Sequence, residues 1–419
     1  MQNRRNQSAE SVNKKDISRR RFIAGAGAAA LSFTVMKPAL VRGTEANSKL
    51  RLGHIGCGGR GTWIANLFKQ HGGYEYVAAA DYFQDKMDKF EAKVRLPGLK
   101  KYAGLSGYKR MIDAGGIDAV AIISPPYFHP AQAAAGVEAG LNVYLAKPIA
   151  VDAPGCKSVR ASGAKAKEKG LAFLVDFQTR SQPFFIEALK RVHNGALGDV
   201  CFGESSYQCE EYFKEKYEAW WSRAAHPENA LQAWPLSREL SGDIIVEQNI
   251  HTLDVMSWAM GDIPPVKVTG TGGMKARKNV GIYDHFAMVY EYPNNVGIAF
   301  DSCQMDVYGS PEGIKNRMFG TKGVLETEYG GQVLIRGKSF YRGGKTPDIY
   351  KEGAVNNIKT FHSDITSGNL SYATVEPSVL SNLICIMGRT AAYTGQTVTW
   401  DKFITTDEKY EFDTTGLKD

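Results

Sequence analysis

From residue 50 onward, short apolar runs alternate with stretches of helical spacing. Leu50 to Ile55 reads as a strand, followed by Gly56-Cys57-Gly58-Gly59-Arg60-Gly61 and a helical run over residues 62–70. Residues 76–80 form a second strand that ends at Asp81, and residues 119–124 a third, closed by Pro125-Pro126. Residues 131–139 read as a helix and residues 142–145 as a further strand. Continuous apolar strands separated by helices predict a parallel sheet covered on both faces.

The texture changes near residue 172. Residues 173–175 open a region of longer, alternating strands, such as 287–292, 296–302 and 323–328, with Pro293-Asn294-Asn295 as a turn. Alternation of this kind predicts an antiparallel sheet with one face covered. Helical spacing returns over residues 378–393. The expected fold class is thus an α/β nucleotide-binding domain over residues 47–170. An α+β domain with a large, mostly antiparallel sheet follows over residues 171–419, and its C-terminal helix packs back on the first.

Charge changes the picture only at the N-terminal end. The chain carries 51 Lys and Arg against 44 Asp and Glu, a formal net charge of +7. Residues 1–46 hold nine basic against three acidic side chains, which leaves 42 against 41 elsewhere. A balanced folded region removes the electrostatic argument for nucleic-acid binding. Ser18-Arg19-Arg20-Arg21-Phe22-Ile23, followed by an uncharged apolar run to Met36, has the form of a twin-arginine export signal. The best cleavage triplet is Thr44-Glu45-Ala46, and no later stretch reaches 18 apolar residues, so no membrane anchor is expected. Localisation is therefore expected to be periplasmic or secreted. The six cysteines show neither CxxC nor zinc spacing and are expected to be buried small hydrophobes rather than a disulfide framework.

The glycine motif carries the first chemistry. Gly56, Gly58 and Gly61 follow a strand and open a helix, and Asp81 ends the next strand 20 positions after Gly61. Such glycines permit a tight turn and close backbone approach to a pyrophosphate at the helix N-terminus. A carboxylate at that distance accepts hydrogen bonds from both adenosine ribose hydroxyls and repels a 2′-phosphate, so the domain is expected to be a Rossmann domain that prefers NAD over NADP.

Three further fragments resemble the Gfo/Idh/MocA oxidoreductases, the family of glucose–fructose oxidoreductase and inositol dehydrogenase. Asn142 to Pro148 resembles the family's Glu-Lys-Pro element, and residues 242–254 its acidic-x3-His-x2-Asp helix. Residues 388–395 with Thr399-Trp400-Asp401 resemble its C-terminal helix and exit. The resemblance runs from about residue 50 to residue 400. It implies a nicotinamide between the two domains, with Lys147 and His251 facing the reacting carbon. Proton chemistry supports both independently, because oxidising an alcohol requires a group that takes the hydroxyl proton. Glu247, four residues before His251, would share its helix face and tune or relay, and Asp254 would orient the imidazole. The sequence departs from the family pattern at Ala146, where a glutamate is usual, and at Glu247, where an aspartate is usual. Glu247 and His251 show no third convergent ligand, so no metal is expected.

The remaining candidates surround this centre. The cofactor set comprises Gly56, Gly58, Gly59, Arg60, Gly61, Asp81, Lys147, and the strand-end loop of Ser124 and Pro125 with His129. Gln178 and Arg180, at the end of the strand expected to open the second domain, are candidates for ribose or sugar. Tyr207, Trp220, Trp221 and Arg223 belong to an aromatic and charged cluster over residues 207–234 that also holds Tyr212, Phe213, Tyr217, His226 and Trp234. Aromatic faces there would stack on a sugar ring, and together with Lys147 and His251 these residues form the expected substrate set; a packed core or a subunit interface explains the same composition. A carbohydrate or glycoside is the expected substrate, and a homo-oligomer through the second-domain sheet the expected assembly. The leading activity is an NAD-dependent oxidation of a sugar or glycoside hydroxyl at a ring carbon such as C3. Export to a compartment without free NAD also favours a redox-neutral cycle, as in the NAD-dependent glycoside hydrolases that resemble this chain. There, oxidation at C3 acidifies the C2 proton, the C1 substituent is eliminated, water adds and C3 is reduced again. A non-catalytic NAD- or sugar-binding protein remains the third alternative, given Ala146.

Overall fold

The computed structural model describes residues 49–306 and 312–419. The expected export signal over residues 1–46 and its cleavage triplet lie outside the described residues.

The first domain is built from β1 (Leu50–Ile55), α1 (Gly59–His71), β2 (Tyr74–Asp81), α2 (Gln84–Val94), β3 (Lys100–Ala103) and α3 (Gly107–Asp113). It continues through β4 (Ala119–Ile122), α4 (His129–Glu138), β5 (Asn142–Ala146), α5 (Ala153–Glu168) and β6 (Phe173–Asp176). The six strands form one sheet in the order β3-β2-β1-β4-β5-β6, and every pairing is parallel. Strands β4, β5 and β6 are buried on both faces almost throughout, which is why they read as unbroken apolar runs.

One boundary is corrected. Residues 173–176, expected to open the second domain, pair parallel with β5 through Val143–Phe173 to Ala146–Asp176 and complete the first sheet. A four-residue apolar strand carries no mark of which sheet it joins; its partner is chosen by the crossover helix α5 that delivers it.

The second domain follows with α6 (Pro183–His193), β7 (Val200–Cys209), α7 (Lys216–Trp221), α8 (Pro227–Gln232), α9 (Arg238–Ser241), α10 (Ile244–Glu247) and α11 (Ile250–Ala259). Then come β8 (Lys267–Gly273), β9 (His285–Tyr292), β10 (Val296–Gln304), β11 (Gly313–Gly320), β12 (Gly323–Glu328), β13 (Gln332–Gly337) and β14 (Tyr341–Lys345). The chain closes with α12 (Ile349–Ser367), α13 (Val375–Thr394), β15 (Val398–Thr399) and α14 (Trp400–Phe403). Nine strands form one sheet in the order β14-β13-β12-β11-β7-β10-β9-β8-β15, antiparallel except for the β7–β10 pair. The β9–β10 hairpin turns at Pro293-Asn294-Asn295, where both asparagines have positive φ, the conformation their short polar side chains tolerate.

Helices α6, α11 and α13 cover one face of this sheet. Helix α13 is buried on nearly its whole circumference because it also packs on α5 of the first domain. Its Asn382, fully buried, accepts from the Ile149 backbone N–H at 3.1 Å and donates to the Ala150 carbonyl at 3.0 Å, so polar bonds also tie the domains. Helix α12, which the sequence reading missed, returns to the first domain and packs on α1 and β6. Its buried Ile349, Ala354, Ile358 and Phe361 supply the helical periodicity that could have revealed it.

All six cysteines are free. Cys57, Cys156, Cys209 and Cys385 are buried as expected, Cys303 is partly buried, and Cys201 is exposed near the start of β7, where the pairing with β11 shifts register. Among the described residues, no helix is long and apolar enough to cross a membrane.

Candidate active site

A cavity of about 440 Å³ lies between the two domains. Its first-domain wall begins at Gly56, which has φ of 94° and would drive a Cβ to within 2.6 Å of the Ile123 and Ser124 backbone. Gly61 is equally constrained, since a Cβ there would lie 1.8 Å from the Gly56 carbonyl oxygen. Gly58 and Gly59 face open space instead. Gly58 caps α1 without any side-chain hydrogen bond, so the first N–H groups of this 13-residue helix remain available to an anion. A dinucleotide pyrophosphate fits such a cradle.

Asp81, at the end of β2, lines the same cavity. Its carboxylate accepts from the Cys57 N–H at 2.7 Å and from the Phe83 N–H at 2.9 Å, while burial pushes its pKa up. These bonds hold the carboxylate at the strand end expected to meet a ribose. Replacing Asp81 by Ala is therefore expected to weaken NAD binding and narrow the preference over NADP, as titration with both cofactors would show. Tighter binding of NADP by the native chain would refute this role.

Lys147 follows β5 and precedes a cis peptide to Pro148. Its Nζ donates to the Glu247 carbonyl oxygen at 2.6 Å and lies 3.8 Å from Glu247 Oε1. Burial lowers the lysine pKa, an effect the Glu247 carboxylate opposes. The expected single helix carrying Glu247 and His251 is broken: α10 ends at Glu247 and α11 starts at Ile250, yet both side chains line the cavity. The break falls at Gln248 and Asn249, whereas the start of α10 is set by Asp243, whose φ of 78° is uncommon for a residue with a side chain. Asp243 is held there because its carboxylate accepts from the Ile244 and Tyr283 N–H groups and from the Tyr393 hydroxyl.

His251 is 7% exposed, and its Nδ1 has no hydrogen-bond partner among the described residues. Its ring centroid lies 5.2 Å from that of Tyr329. Burial, with Lys147 and Arg60 adding to it, holds its pKa well below the ordinary imidazole range. The expectation that Asp254 orients the imidazole is corrected. Asp254 accepts from Arg180 Nε at 2.8 Å and from the Ser381 hydroxyl at 2.7 Å, and packing rather than a carboxylate places the ring.

Other expectations divide. Ser124 and Pro125 line the cavity, and the Ser124 hydroxyl donates to Gln132 Oε1 at 2.6 Å. Arg60 also lines it, but its guanidinium bonds Asp176 Oδ2 at 2.6 Å and lies over the rings of Trp63 and Tyr350. His129 is corrected: it is buried, with its ring nitrogens 2.8 Å and 2.7 Å from the Pro148 and Ser124 carbonyl oxygens, and braces the loop from behind. Gln178 and Arg180 are corrected as substrate contacts. Gln178 is fully buried beneath Gly353 of α12 and donates to Asp176, because β6 joined the first sheet and carried its end inward. Arg180 is consumed by Asp254 and Asp262 and stacks on Trp258.

The aromatic cluster splits likewise. Phe213, Tyr217 and Trp234 line the cavity together with Leu231. Tyr207, Trp220, Trp221 and Arg223 do not, and are corrected. Tyr207 is buried on β7, Trp221 donates to the Asn279 carbonyl at 2.7 Å, Trp220 packs on Tyr217 and Lys216, and exposed Arg223 reaches back to the Ala219 carbonyl. Short helical turns, whose boundaries the sequence does not mark, decided which rings face inward. The sequence reading also missed Tyr350, Tyr82 and Lys86 in the cavity wall. Among the described residues, no group of three His, Cys, Asp or Glu side chains is placed to hold a metal ion.

Comparison with known proteins agrees with this geometry. Residues 50–177 match the model of the oxidoreductase family with an NAD-binding Rossmann fold, and residues 185–326 match the GFO/IDH/MocA C-terminal domain. The chain is 24% identical over 337 residues to an inositol 2-dehydrogenase of Rhizobium meliloti, covering 76% of this chain and 89% of the relative. It is 26% identical over 161 residues to a glycosyl hydrolase family 109 protein of Bacteroides fragilis, which covers 38% of this chain and 37% of that one. The WlbA dehydrogenase of Bordetella pertussis, solved with NADH and UDP-GlcNAcA, superposes with a TM-score of 0.68 at 18% identity, over 85% of this chain and 99% of its own. Two consecutive family matches, a glycine cradle that shares its cavity with Asp81, and Lys147 and His251 in the same interdomain cavity place the chain in the Gfo/Idh/MocA family of NAD-dependent oxidoreductases.

Proposed function

We propose that this chain is an exported oxidoreductase that acts on a ring hydroxyl of a sugar or glycoside and retains its cofactor between turnovers. The observation that carries the reading is the convergence of Lys147, Glu247 and His251 in one cavity with the glycine cradle. NAD, when bound, supplies the hydride acceptor. His251, kept neutral by its lowered pKa, takes the proton of the substrate hydroxyl. Lys147 spends one of its three donors on the Glu247 carbonyl and offers the others to the same substrate oxygen. Glu247 provides the anionic neighbour that Ala146 does not, 3.8 Å from the ammonium, which argues against a merely binding role for the chain. Phe213, Tyr217 and Trp234 give the cavity an aromatic wall suited to the C–H face of a sugar ring. Assembly into a homo-oligomer through the outer face of the large sheet is part of the proposal. Phe202 and Val289 are exposed there, and Phe202 stacks on Phe319 at 4.5 Å.

Retention of cofactor is the test. Protein purified without added nucleotide is expected to release NAD or NADH from a large fraction of molecules on denaturation. An essentially empty protein, with NAD affinity weaker than about micromolar, would refute it and leave a dehydrogenase with exchangeable cofactor. The second reading is redox-neutral glycoside hydrolysis, favoured by the partial match to the Bacteroides fragilis protein. A panel of p-nitrophenyl glycosides separates the two: nitrophenol release without added NAD marks hydrolysis, and a ketoglycoside with its aglycone intact marks oxidation alone.

A further inference from the structure

The last stretch of the chain, residues 405–419, lacks regular secondary structure but is tied down along its length. Tyr410 donates its N–H to Asp152 Oδ2 at 2.9 Å, and its ring lies beneath the guanidinium of Arg389 at 4.4 Å. The Phe412 N–H meets the Tyr127 hydroxyl at 3.3 Å. The segment ends against the loop after β3, where the Leu105 N–H donates to the Lys418 carbonyl at 3.0 Å. Contact there is close: a Cβ on Gly104 would come within 2.5 Å of the Asp419 carbonyl.

This landing place is a wall of the cofactor cavity. Tyr82, Gly104 and Leu105 line it beside Asp81, and the Gly104 N–H bonds the Asp81 carbonyl at 3.2 Å. The Tyr82 hydroxyl is the junction of three parts of the chain. It accepts from the Lys418 N–H at 3.1 Å and donates to Glu228 Oε1, on α8 of the second domain, at 2.8 Å. Lys418 Nζ closes the triangle 3.5 Å from Glu228. Lys418 is mostly exposed, so that ion pair contributes little and the two hydrogen bonds at Tyr82 dominate.

We propose that residues 405–419 form a clasp over the adenosine end of the cofactor site, and that Tyr82, Glu228 and Lys418 are positioning residues that set how fast NAD leaves. The proposal rests on the NAD reading of that cavity. A cofactor whose ribose sits at Asp81 departs only if the wall at Tyr82, Gly104 and Leu105 yields, and that wall is pinned from the second domain by Glu228 and from the chain end by Lys418. Retention is then supplied in part by residues 405–419, through the bonds they make to Tyr82 and Leu105.

The test uses the full-length protein loaded with NADH and chased with excess NAD, following the loss of NADH fluorescence. Tyr82→Phe keeps the ring but removes both hydroxyl bonds, and is expected to speed release about tenfold, the scale of one or two hydrogen bonds. Glu228→Ala should act in the same direction, whereas Glu228→Gln keeps an acceptor for Tyr82 and should change release by less than about threefold. The unfolding midpoints of all three should stay near that of the native chain, which separates release from general weakening. Backbone amide exchange at Leu105 and Lys418 should slow when NAD is bound. Release within about twofold of the native rate in both Tyr82→Phe and Glu228→Ala would overturn the clasp and leave the NAD site standing. A native chain that takes up no NADH would overturn the NAD reading and the clasp with it.

Discussion

Replacing His251 by Ala is expected to lower turnover by roughly 10²–10⁴-fold, the usual contribution of a positioned acid–base group. NAD affinity should be almost unchanged, because the glycine cradle and Asp81 lie on other elements and the variant removes none of their bonds. The pH profile sharpens this expectation. A base must be neutral to accept a proton, and burial together with Lys147 and Arg60 holds the His251 pKa well below its usual value. The neutral form therefore persists to lower pH than for a solvent-exposed imidazole. The acid limb of kcat/KM should lie below about 6.5, the unperturbed histidine value, and should vanish in His251→Ala. Near-native turnover in that variant, or an acid limb unchanged by it, would remove His251 from the chemistry.

Asp254→Ala is expected to behave in the opposite way. Asp254 is fully buried, and its carboxylate bonds both Arg180 and Ser381. Arg180 is itself only 9% exposed along its side chain. Deleting the carboxylate leaves a buried guanidinium with Asp262 as its remaining partner and a buried serine hydroxyl without one. Because Asp262 still pairs with the guanidinium, the cost is that of the buried Arg180 Nε and Ser381 hydroxyl left without their acceptor, about 1–3 kcal/mol. Turnover per folded molecule should stay within a few-fold of native, since no bond joins Asp254 to the imidazole. Urea unfolding midpoints and kcat measured on the folded fraction check both halves. A large loss of turnover at unchanged stability would restore Asp254 as the orienting partner of His251.

These two variants also show where sequence reading reached and where it stopped. Spacing placed His251 and Asp254 three residues apart on a helix and suggested that they cooperate. That spacing holds on α11, but each side chain answers to whatever packs against its own side. His251 meets the cavity, while Asp254 meets Arg180 from the chain after β6 and Ser381 from α13. Neither partner could be inferred from local pattern, because both are distant in sequence.

What the sequence by itself determined is what local chemistry and periodicity encode. The glycine cradle and Asp81 were legible because a tight turn, a helix N-terminus and a strand end must follow one another at set distances. The parallel first sheet and the alternating second one were legible because burial on two faces or one writes a different hydrophobic pattern. Lys147, Glu247 and His251 were legible through resemblance, and the fold brought them into one cavity.

Tertiary structure alone decided the rest. It assigned residues 173–176 to the first sheet, and with that strand it drew Gln178 and Arg180 away from the cavity into the core. It turned Tyr217 and Trp234 toward the cavity and Trp220 and Trp221 away from it. It also carried residues 405–419 across the molecule to Tyr82 and Gly104. Each of these outcomes depends on contacts between segments far apart in the chain, where a residue's own neighbours in sequence carry no record of what it will meet.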